Sequence, residues 1–411
     1  MKIKSIIALL LFQFGFSQER TCGTALYMQT LMNNSVAKQK HLDLQSRFEI
    51  ELLKLQNLQN KSSASAIIIP VAVHFPSVAT NSTDKACLRL LAQNQIDIIN
   101  ADFNATNADI NLWSPTTQAF YPGTINGSLP VQFVLATQNH PADSGLSNGQ
   151  KAVTFGTNFL NNADYDTLWR GYMNIVVRAA GALGYSPLGG NPSDGATVVI
   201  NYDAFGSGAG CTGYAPQGDY NLGRTLSHEL GHFFNLEHTF GNGGFCNDIS
   251  NTDYLNDTPK CTGSGGCPIT GTVLGCVTGQ KSLTMNYMDY TDDACMYMFT
   301  ANQATRMRAY YNTIASEYST NVLKNDNFEF KNFALYPNPN NGSFKISFIT
   351  NNSDEIKITI NDMQGRKIFA ETFENKGLFN QEIALDKAQS GIYLVYILNG
   401  QNKTVKRIVV E

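Results

Sequence analysis

Charge is scarce in this sequence. Asp, Glu, Lys and Arg make up 15% of the 411 residues and leave a formal net charge of −4, whereas an average soluble protein carries roughly 25% charged residues. This balance gives no support for a nucleic-acid partner. Long apolar runs are missing as well. After residue 17 no segment reaches the roughly 20 apolar residues that cross a bilayer, which argues against a transmembrane segment.

The eight cysteines include no CxxC pair, which argues against both a zinc ribbon and thioredoxin chemistry. The N-terminus indicates export, because Lys2 and Lys4 precede an apolar run from Ser5 to Phe16. We therefore predict a signal peptide over residues 1–17, cut after Ser17. In an exported chain the cysteines are expected to form disulfides.

The chain changes character along its length. Residues 18–61 contain an amphipathic helical stretch, HLDLQSRFEIELLKLQNLQ, and the run IIIPVAVHF that follows is typical of a buried strand. Strands and helices then alternate to about residue 205, which predicts an α/β fold. Residues 239–300 are rich in Gly, Cys, Asp and Thr without periodicity, so this segment needs disulfides or ions to hold its shape. Residues 333–411 read as short alternating strands, which predicts a separate small β-sandwich.

Half of the six histidines lie in the stretch HELGHFFNLEH, residues 228–238. On a helix, His228 and His232 are four residues apart and share one face, within reach of one metal ion. The neighbouring face would be an apolar stripe, made of Leu222, Leu226, Leu230 and Phe233. The spacing therefore predicts an amphipathic helix that presents two metal ligands.

The third histidine of the stretch, His238, cannot join the pair if the helix continues, because it would lie about 15 Å along the axis from His228. The chain must bend before it, and Asn235 tolerates the left-handed conformation that ends helices. Three histidines with an open fourth position are the catalytic form of a zinc site. Glu229 follows the first ligand directly, where it can accept a proton from water at the metal.

Two other interpretations of the histidines are possible. They could be ordinary helix-surface side chains, but the third histidine, the export signal and the turn residue together disfavour this. Alternatively, a glutamate farther along the chain could complete a different zinc site. That arrangement is disfavoured because no glutamate lies between Glu237 and Glu317.

Further motifs surround the histidines: the methionine turn NYMDY and the segments LGRTLSHELGH, HTFG, NDTPKC and MDYTDDACMYMFTANQATRMR. Over roughly residues 66–315 the sequence thereby resembles the pappalysin (cytophagalysin) branch of the metzincin metallopeptidases, although Asn235 stands where the family usually has Gly. The resemblance implies an α/β catalytic domain over residues 62–320. Its expected parts are a twisted mixed sheet with helices, a zinc-site helix and an irregular, disulfide-held lower subdomain.

The resemblance also implies roles for single residues. The three histidines would bind one zinc ion, and Glu229 would be the general base. Met288 would pack beneath the metal, and the Tyr290 hydroxyl would help to stabilise the oxyanion. The segment NTDYLNDTP resembles the family's calcium loop, with three candidate oxygen ligands from Asp253, the Leu255 carbonyl and Thr258. Turns rich in Asp and Asn are often only turns, which is the alternative.

Cysteine roles follow from the same resemblance. It implies two disulfides in the irregular segment, Cys246 with Cys276 and Cys267 with Cys295. The pairing of three others stays open, namely Cys87, Cys211 and Cys261. Cys22, in ERTCGT, would supply a thiolate to the fourth zinc position and keep a zymogen latent until the pro-segment, residues 18–61, is cut away. An ordinary disulfide is the alternative for Cys22.

The segment YTDDAC, just after the methionine turn, places Asp292 and Asp293 together. The resemblance puts Asp293 at the base of the pocket that receives the side chain after the scissile bond in members that prefer arginine or lysine. Cleavage before Arg or Lys is therefore predicted, and Lys61 is a candidate self-processing point. A solvated acidic turn and calcium ligation are the alternatives for Asp293.

The last part of the chain, from LYPNPNNGSFKISF to GIYLVYILNGQNKTVKRIVVE, resembles the C-terminal sorting domain of type IX secretion. This resemblance implies export across an outer membrane and a partner in the secretion machinery. The alternative, a carbohydrate-binding sandwich, is weakened because both tryptophans, Trp113 and Trp169, lie upstream.

The expected function is a secreted or cell-surface zinc endopeptidase that acts on proteins or peptides. One alternative is a catalytically silent adhesin or binding protein on the same scaffold, which the retention of Glu229 and all three histidines disfavours. A zinc hydrolase acting on a non-peptide amide is the other alternative.

Overall fold

A computed structural model of the chain describes residues 20–57, 67–79, 81–142, 144–156, 166–241, 244–323, 330–350, 353–362, 366–385, 388–400 and 402–411. The predicted signal peptide, its cleavage point at Ser17 and the candidate processing point Lys61 lie outside these ranges. The chain divides into two compact units, residues up to 323 and residues from 324 on. None of the helices in the described ranges is long and apolar enough to cross a membrane.

Helices of the first unit include those predicted from the sequence. They are α1 (Thr24–Asn33), α2 (Ser35–Asn57), α3 (Lys85–Phe103), α4 (Pro115–Gln118), α5 (Arg224–Phe233) and α6 (Ala301–Ile314). A capping box begins α6: the Thr300 hydroxyl accepts from the Gln303 amide, and the Gln303 side chain accepts from the Thr300 amide. Such reciprocal capping satisfies two amides that a helix start would otherwise leave unpaired.

Strands of the first unit are short apart from the first. They are β1 (Ile67–Phe75), β2 (Asn126–Gly127), β3 (Val131–Leu135), β4 (Val153–Phe155), β5 (Met173–Arg178), β6 (Gly184–Tyr185), β7 (Thr197–Asn201), β8 (Gly265–Gly266), β9 (Tyr290–Thr291) and β10 (Phe299–Thr300). The central sheet has the order β3-β1-β5-β7-β6, and β4 also pairs with β1. Its strands are parallel except β6, which pairs antiparallel with β7. This is the mixed sheet that the family resemblance implies.

The two faces of the sheet have different cores. Alternate residues of β1 such as Val71, Val73 and Phe75 join a large cluster that includes residues of α2, α3, α5 and α6. Ala72, on the opposite face, belongs to a smaller cluster that contains Trp169. Since side chains of a strand alternate between faces, the larger cluster places the helices on one side of the sheet and builds the site there.

The irregular segment after α5 is held by disulfides. Cys246 pairs with Cys276 and Cys267 pairs with Cys295, which are the two pairs that the family resemblance implies. Cys87 pairs with Cys211 and joins α3 to the loop after β7. Among the described cysteines, Cys22 and Cys261 remain free thiols, and Cys261 is buried.

The second unit is an antiparallel sandwich. Its strands are β11 (Lys331–Tyr336), β12 (Ser343–Ile349), β13 (Ile356–Asp362), β14 (Lys367–Phe373), β15 (Leu378–Ala384), β16 (Gly391–Asn399) and β17 (Asn402–Val410). One sheet has the order β11-β12-β15 and the other β14-β13-β16-β17. Phe330 is buried and its ring centroid lies 4.0 Å from that of Phe348. The ordered sandwich thus begins slightly before residue 333, the predicted start.

Candidate active site

The histidine helix, α5, is buried along its whole length. It begins at Arg224, so Leu222 lies outside it and is 39% exposed. The predicted apolar stripe is therefore wrong at Leu222, because the chain turns just before the helix starts. The remaining stripe residues, Leu226, Leu230 and Phe233, are all fully buried.

A left-handed residue ends the helix where the sequence predicts a bend. Asn235 has φ of 69°, and its amide donates to the carbonyl of His232 at 2.8 Å. The Leu236 amide donates to the carbonyl of Gly231 at 2.9 Å. These bonds close the helix end and return His238 to the site, with its Nε2 atom 3.1 Å from Nε2 of His232.

The three imidazoles converge on one point. Nδ1 of His228 lies 2.7 Å from the Tyr287 carbonyl, and Nδ1 of His232 lies 2.7 Å from the Leu236 carbonyl. Each contact fixes Nδ1 as the protonated nitrogen and leaves Nε2 free to bind a metal. Nε2 of His228 is buried, and no hydrogen-bond partner for it is present among the described residues.

Electrostatics of the site favour a metal rather than imidazolium ions. Burial, as the first cause, lowers the pKa of His228, His232 and His238. The rings are therefore neutral, as zinc ligands must be. Three neutral imidazole nitrogens that converge in a buried site fit a zinc ion, with one position left for another group.

Cys22 lies beside the three histidines. Its Sγ atom and a nitrogen of each histidine all lie within 4.8 Å of one another. The thiol also donates to Oε2 of Glu229 at 3.7 Å. Burial, and then the charge of Glu229, raise the pKa of the Cys22 thiol, so a thiolate here needs a cation beside it.

Backbone pairing brings Cys22 into the site. The Gly23 amide donates to the Gly184 carbonyl at 2.9 Å, and the Leu183 amide donates to the Thr21 carbonyl at 3.0 Å. Residues 21–23 thus run beside the edge strand β6 in the parallel sense. An extended segment added to an open sheet edge is a common mode of peptide recognition.

Glu229 projects from α5 beside the histidines. Burial raises the pKa of its carboxyl to about 8, and hydrogen bonds from Cys22 and Thr24 act in the opposite direction. The Thr24 hydroxyl donates to Oε2 at 3.3 Å. A buried carboxylate with a pKa in this range is suited to accept and return a proton near neutral pH.

Met288 packs against α5 at Gly231. It is fully buried, and its Sδ atom lies 2.3 Å from the point where a Cβ on Gly231 would stand. Only glycine fits at this contact without displacement. The sequence analysis did not single out Gly231, although it stands between the two ligand histidines of α5.

Tyr290 closes one side of the site. Its ring centroid lies 4.8 Å from that of His238 and 4.8 Å from that of Phe240. Burial raises the pKa of Tyr290, and a hydrogen bond with the backbone of Cys22 lowers it. The neutral hydroxyl is available as a donor close to the histidines.

Asp293 is fully buried at the start of α5. Its Oδ2 atom accepts from the backbone amides of Leu222 at 2.9 Å and Arg224 at 3.1 Å. Its Oδ1 atom forms an ion pair with the Arg20 guanidinium at 2.5 Å. Asp293 is therefore not a solvated turn residue: its buried carboxylate is paired with a cation two residues before Cys22.

Arg20 makes several further contacts beside Asp293. Its Nε atom donates to the Thr291 carbonyl at 3.1 Å, and one terminal nitrogen donates to the Thr225 hydroxyl at 3.3 Å. Its guanidinium carbon lies 4.9 Å from the centroid of the Tyr220 ring. Sequence reasoning missed Arg20, although its spacing of two from Cys22 puts both side chains on one side of an extended segment.

The three candidate calcium ligands lie together. The Thr258 hydroxyl donates to Oδ1 of Asp253 at 2.7 Å and lies 3.2 Å from the Leu255 carbonyl. Burial raises the pKa of Asp253 to about 7. Oδ2 of Asp253 and both side-chain polar atoms of the buried Asn251 have no hydrogen-bond partner among the described residues. The sequence analysis did not single out Asn251, which stands two residues before Asp253.

A network behind α5 supports His228. Arg224 donates to the Tyr287 hydroxyl at 3.1 Å and forms ion pairs with Asp102 and Asp109. Tyr287 supplies the carbonyl that contacts Nδ1 of His228. The first turn of the helix is thus tied to the residue that orients the first histidine, which the sequence pattern did not indicate.

Comparisons with known proteins agree with this geometry. Residues 158–312 match the family profile described as pregnancy-associated plasma protein-A, and residues 334–411 match the one described as a secretion system C-terminal sorting domain. An extracellular metalloprotease of Verticillium alfalfae is 31% identical over 254 residues, which are 60% of this chain and 78% of that protein. One of Colletotrichum graminicola is 28% identical over 282 residues, 66% of this chain and 86% of that protein.

A solved structure is also similar. Promirolysin of Tannerella forsythia, determined as a point mutant, has 31% sequence identity and a TM-score of 0.53, over 72% of this chain and 94% of the promirolysin chain. The likeness therefore extends well beyond the histidine motif. This chain belongs to the pappalysin family of zinc metallopeptidases, and it ends in a sorting domain for export by the type IX secretion system.

Proposed function

We propose that this metallopeptidase is made as a zymogen with residues 18–61 as its pro-segment, and that the mature enzyme cleaves proteins before Arg or Lys. One observation carries both parts of the proposal. The Cys22 Sγ atom lies within 4.8 Å of a nitrogen of each histidine, while Arg20 is paired with Asp293, the proposed base of the pocket for the side chain after the scissile bond (the Asp293 pocket). A single short segment thereby occupies the place of the catalytic water and the place of a substrate side chain.

The proposed chemistry needs few groups. Zinc, when bound by His228, His232 and His238, supplies a Lewis acid that lowers the pKa of water beside it towards neutrality. Glu229 accepts the proton of that water and later returns it to the leaving amine. The Tyr290 hydroxyl donates to the developing oxyanion. The substrate backbone pairs with the edge strand β6 but runs opposite to residues 21–23, because its Arg or Lys follows the scissile bond whereas Arg20 precedes Cys22.

Specificity follows from the Asp293 pocket. A buried carboxylate without a cationic partner is costly, so removal of Arg20 leaves a site that favours a positively charged side chain. The contacts of Arg20 support this preference, because Thr291, Thr225 and Tyr220 offer a carbonyl, a hydroxyl and a ring face to a guanidinium. A planar guanidinium can donate hydrogen bonds to the carbonyl and the hydroxyl and stack on the ring at the same time.

We further propose that a calcium ion binds Asp253, the Leu255 carbonyl and Thr258. The support is chemical: a half-satisfied buried carboxylate, a carbonyl and a hydroxyl form a hard oxygen donor set of the kind that calcium uses. The unpartnered amide of Asn251 stands in the same segment. A bound cation would compensate the buried Asp253 charge.

Latency is tested with cysteine variants of the full precursor, measured by casein cleavage with and without a zinc chelator. Cys22→Ala is expected to give a precursor that is active early or digests itself, because the fourth zinc position is then open to water. Cys261→Ala is the matched control, since Cys261 is the other described free thiol and is buried elsewhere. It should stay latent. A stable, latent Cys22→Ala precursor, or a disulfide mapped to Cys22, would refute the proposal.

A further inference from the structure

The second helix of the pro-segment packs into the catalytic unit at a place separate from the histidine site. Leu44, Phe48 and Leu52 of α2 recur every four residues and are buried, and they belong to the same core cluster as the central sheet. The Phe48 ring centroid lies 5.7 Å from that of Tyr310 in α6. The inner face of α2 is thus part of the catalytic core.

A polar contact sits beside this apolar face. Gln45 donates to Oδ1 of Asn235 at 3.2 Å, and Asn235 in return donates to Oε1 of Gln45 at 2.9 Å. Asn235 is the residue that bends the chain between the zinc-binding histidines, where the family usually has Gly. This chain therefore has a side-chain pair between pro-segment and bend that a glycine cannot make.

Arg306 joins the polar and apolar contacts. Its Nε atom donates to the Asn235 carbonyl at 2.7 Å, and its guanidinium carbon lies 4.8 Å from the Phe48 ring centroid. The Gln45 side chain also approaches Gly189 closely, because a Cβ added to Gly189 would lie 2.9 Å from Nε2 of Gln45. We call Asn235, Arg306, Tyr310 and Gly189 together the α2 docking surface.

The α2 docking surface is distinct from the contact in the cleft. A cavity of about 540 Å³ is lined by Tyr27 and Leu31 of α1, by Lys40 of α2 and, across from them, by Gly190 and Asp194. The pro-segment is thus bound at residues 20–24 and again at α2, with a cavity beside the stretch of α1 and α2 that joins the two contacts. Loss of one contact need not remove the other.

We propose that the α2 docking surface is a helix-binding exosite that retains the pro-segment after the chain is cut between α2 and β1. This inference rests on the proposed function, which makes residues 18–61 a pro-segment. The occupant is the excised segment itself, bound by an apolar face that recurs every four residues together with the Gln45–Asn235 pair. A cut at the end of the pro-segment then yields a latent complex, and activity requires a further step that releases the cleft contact.

The test uses the full chain with a recognition site for a sequence-specific protease inserted within residues 58–66. A Glu229→Ala background prevents self-digestion, and size-exclusion chromatography follows the fragment after the cut. The fragment is expected to elute with the rest of the chain. Cys22→Ala should not change this, because α2 binds independently of the cleft.

Matched leucines in α2 show whether the docking surface holds the fragment. Leu44 is 4% exposed and Leu53 is 57% exposed, so Leu44→Ala should speed release of the fragment about tenfold or more, and Leu53→Ala should not. Gln45→Ala, a milder change that spares the core, should speed release roughly threefold to tenfold. It serves as the test if Leu44→Ala does not fold.

Three results would overturn the exosite: loss of the fragment as soon as the chain is cut, loss in the Cys22→Ala variant alone, or equal release rates for Leu44→Ala and Leu53→Ala. None of these readouts needs catalysis. A failure of the proposed latency would show instead as casein cleavage by the uncut wild-type precursor.

Discussion

At the residue scale, the geometry of the site depends on a few residues whose backbone conformation, small size or hydrogen-bond partners the surroundings require. Asn235 holds a left-handed φ of 69°, and Gly231 leaves room for Met288 at a contact that a Cβ would occupy. Glu229 and Asp293 are both carboxylates, but they differ in their partners. The Glu229 carboxylate accepts from the Cys22 and Thr24 side chains of the pro-segment, whereas the Asp293 carboxylate is also fixed by two backbone amides.

The Glu229→Ala variant tests the role of this carboxylate. We expect the variant to fold and to retain zinc, because all three histidines stay, while the turnover number for casein falls by about 10²–10⁴-fold through loss of the general base. Zinc content from elemental analysis is the control measurement. A zinc-loaded variant that turns over at the wild-type rate would show that Glu229 is not the base.

The Asp293 pocket predicts a change in specificity. Asp293→Asn keeps an oxygen for the Leu222 and Arg224 amides but removes the charge, so cleavage before Arg should fall by at least about 30-fold relative to apolar residues. Peptide-library profiling of the activated enzyme measures this, with Asp292→Asn as the adjacent carboxyl control. An unchanged profile, or an apolar preference in the wild type, would remove Asp293 from the role.

At the scale of elements, regular structure and irregular structure are held in different ways. The sheet and its helices are held by burial, as Val71, Val73 and Phe75 of β1 illustrate. The segment after α5 has little regular structure, and two disulfides restrain it. Because helices and long strands contribute little to this segment, ion binding is expected to add measurably to its stability.

The loop at Asp253 provides the test. Millimolar calcium should raise the melting temperature of the precursor by about 2–8 °C over a chelator-treated sample, on the order expected for a site filled to about a hundred times its Kd. Magnesium is the control ion, because it prefers a smaller octahedral site. In Asp253→Asn the calcium response should largely disappear. An equal response in wild type and variant would place any calcium elsewhere.

At the scale of the whole molecule, the chain contains two compact units with separate hydrophobic cores. The residues proposed for catalysis and latency all lie in the first unit. The match to the sorting-domain family lies in the second unit. Separate cores allow one unit to be removed without exposing the interior of the other.

Ending the chain at Leu323 should therefore leave peptidase activity intact and abolish export. In a host with type IX secretion, we expect the truncated protein to remain in the cell envelope, and immunoblots of envelope and medium fractions measure its location. Casein cleavage by the extracted, activated protein is the control for folding. Normal release of the truncated form into the medium would mean that the sandwich is not needed for sorting.

Local spacing in the sequence was sufficient to predict the histidine helix and the bend after it. His228 and His232 are four residues apart, and Asn235 follows within one turn, so short-range geometry determines how they lie. Alternation in runs such as GSFKISFI likewise predicts the strands of the sandwich. The strand Lys331–Tyr336 was missed, because its side chains are only partly buried and the alternation is weak there.

Contacts between residues that are far apart in the sequence could be identified only from the tertiary structure. Arg20 meets Asp293 across 273 positions, and Gln45 meets Asn235 across 190; no local pattern encodes either contact. The pairing of Cys87 with Cys211 depends in the same way on the sheet that brings α3 beside the loop after β7. The sequence by itself determined which residues share a turn or a strand face, because backbone geometry acts over a few residues. Packing of whole elements determined which of those faces meet.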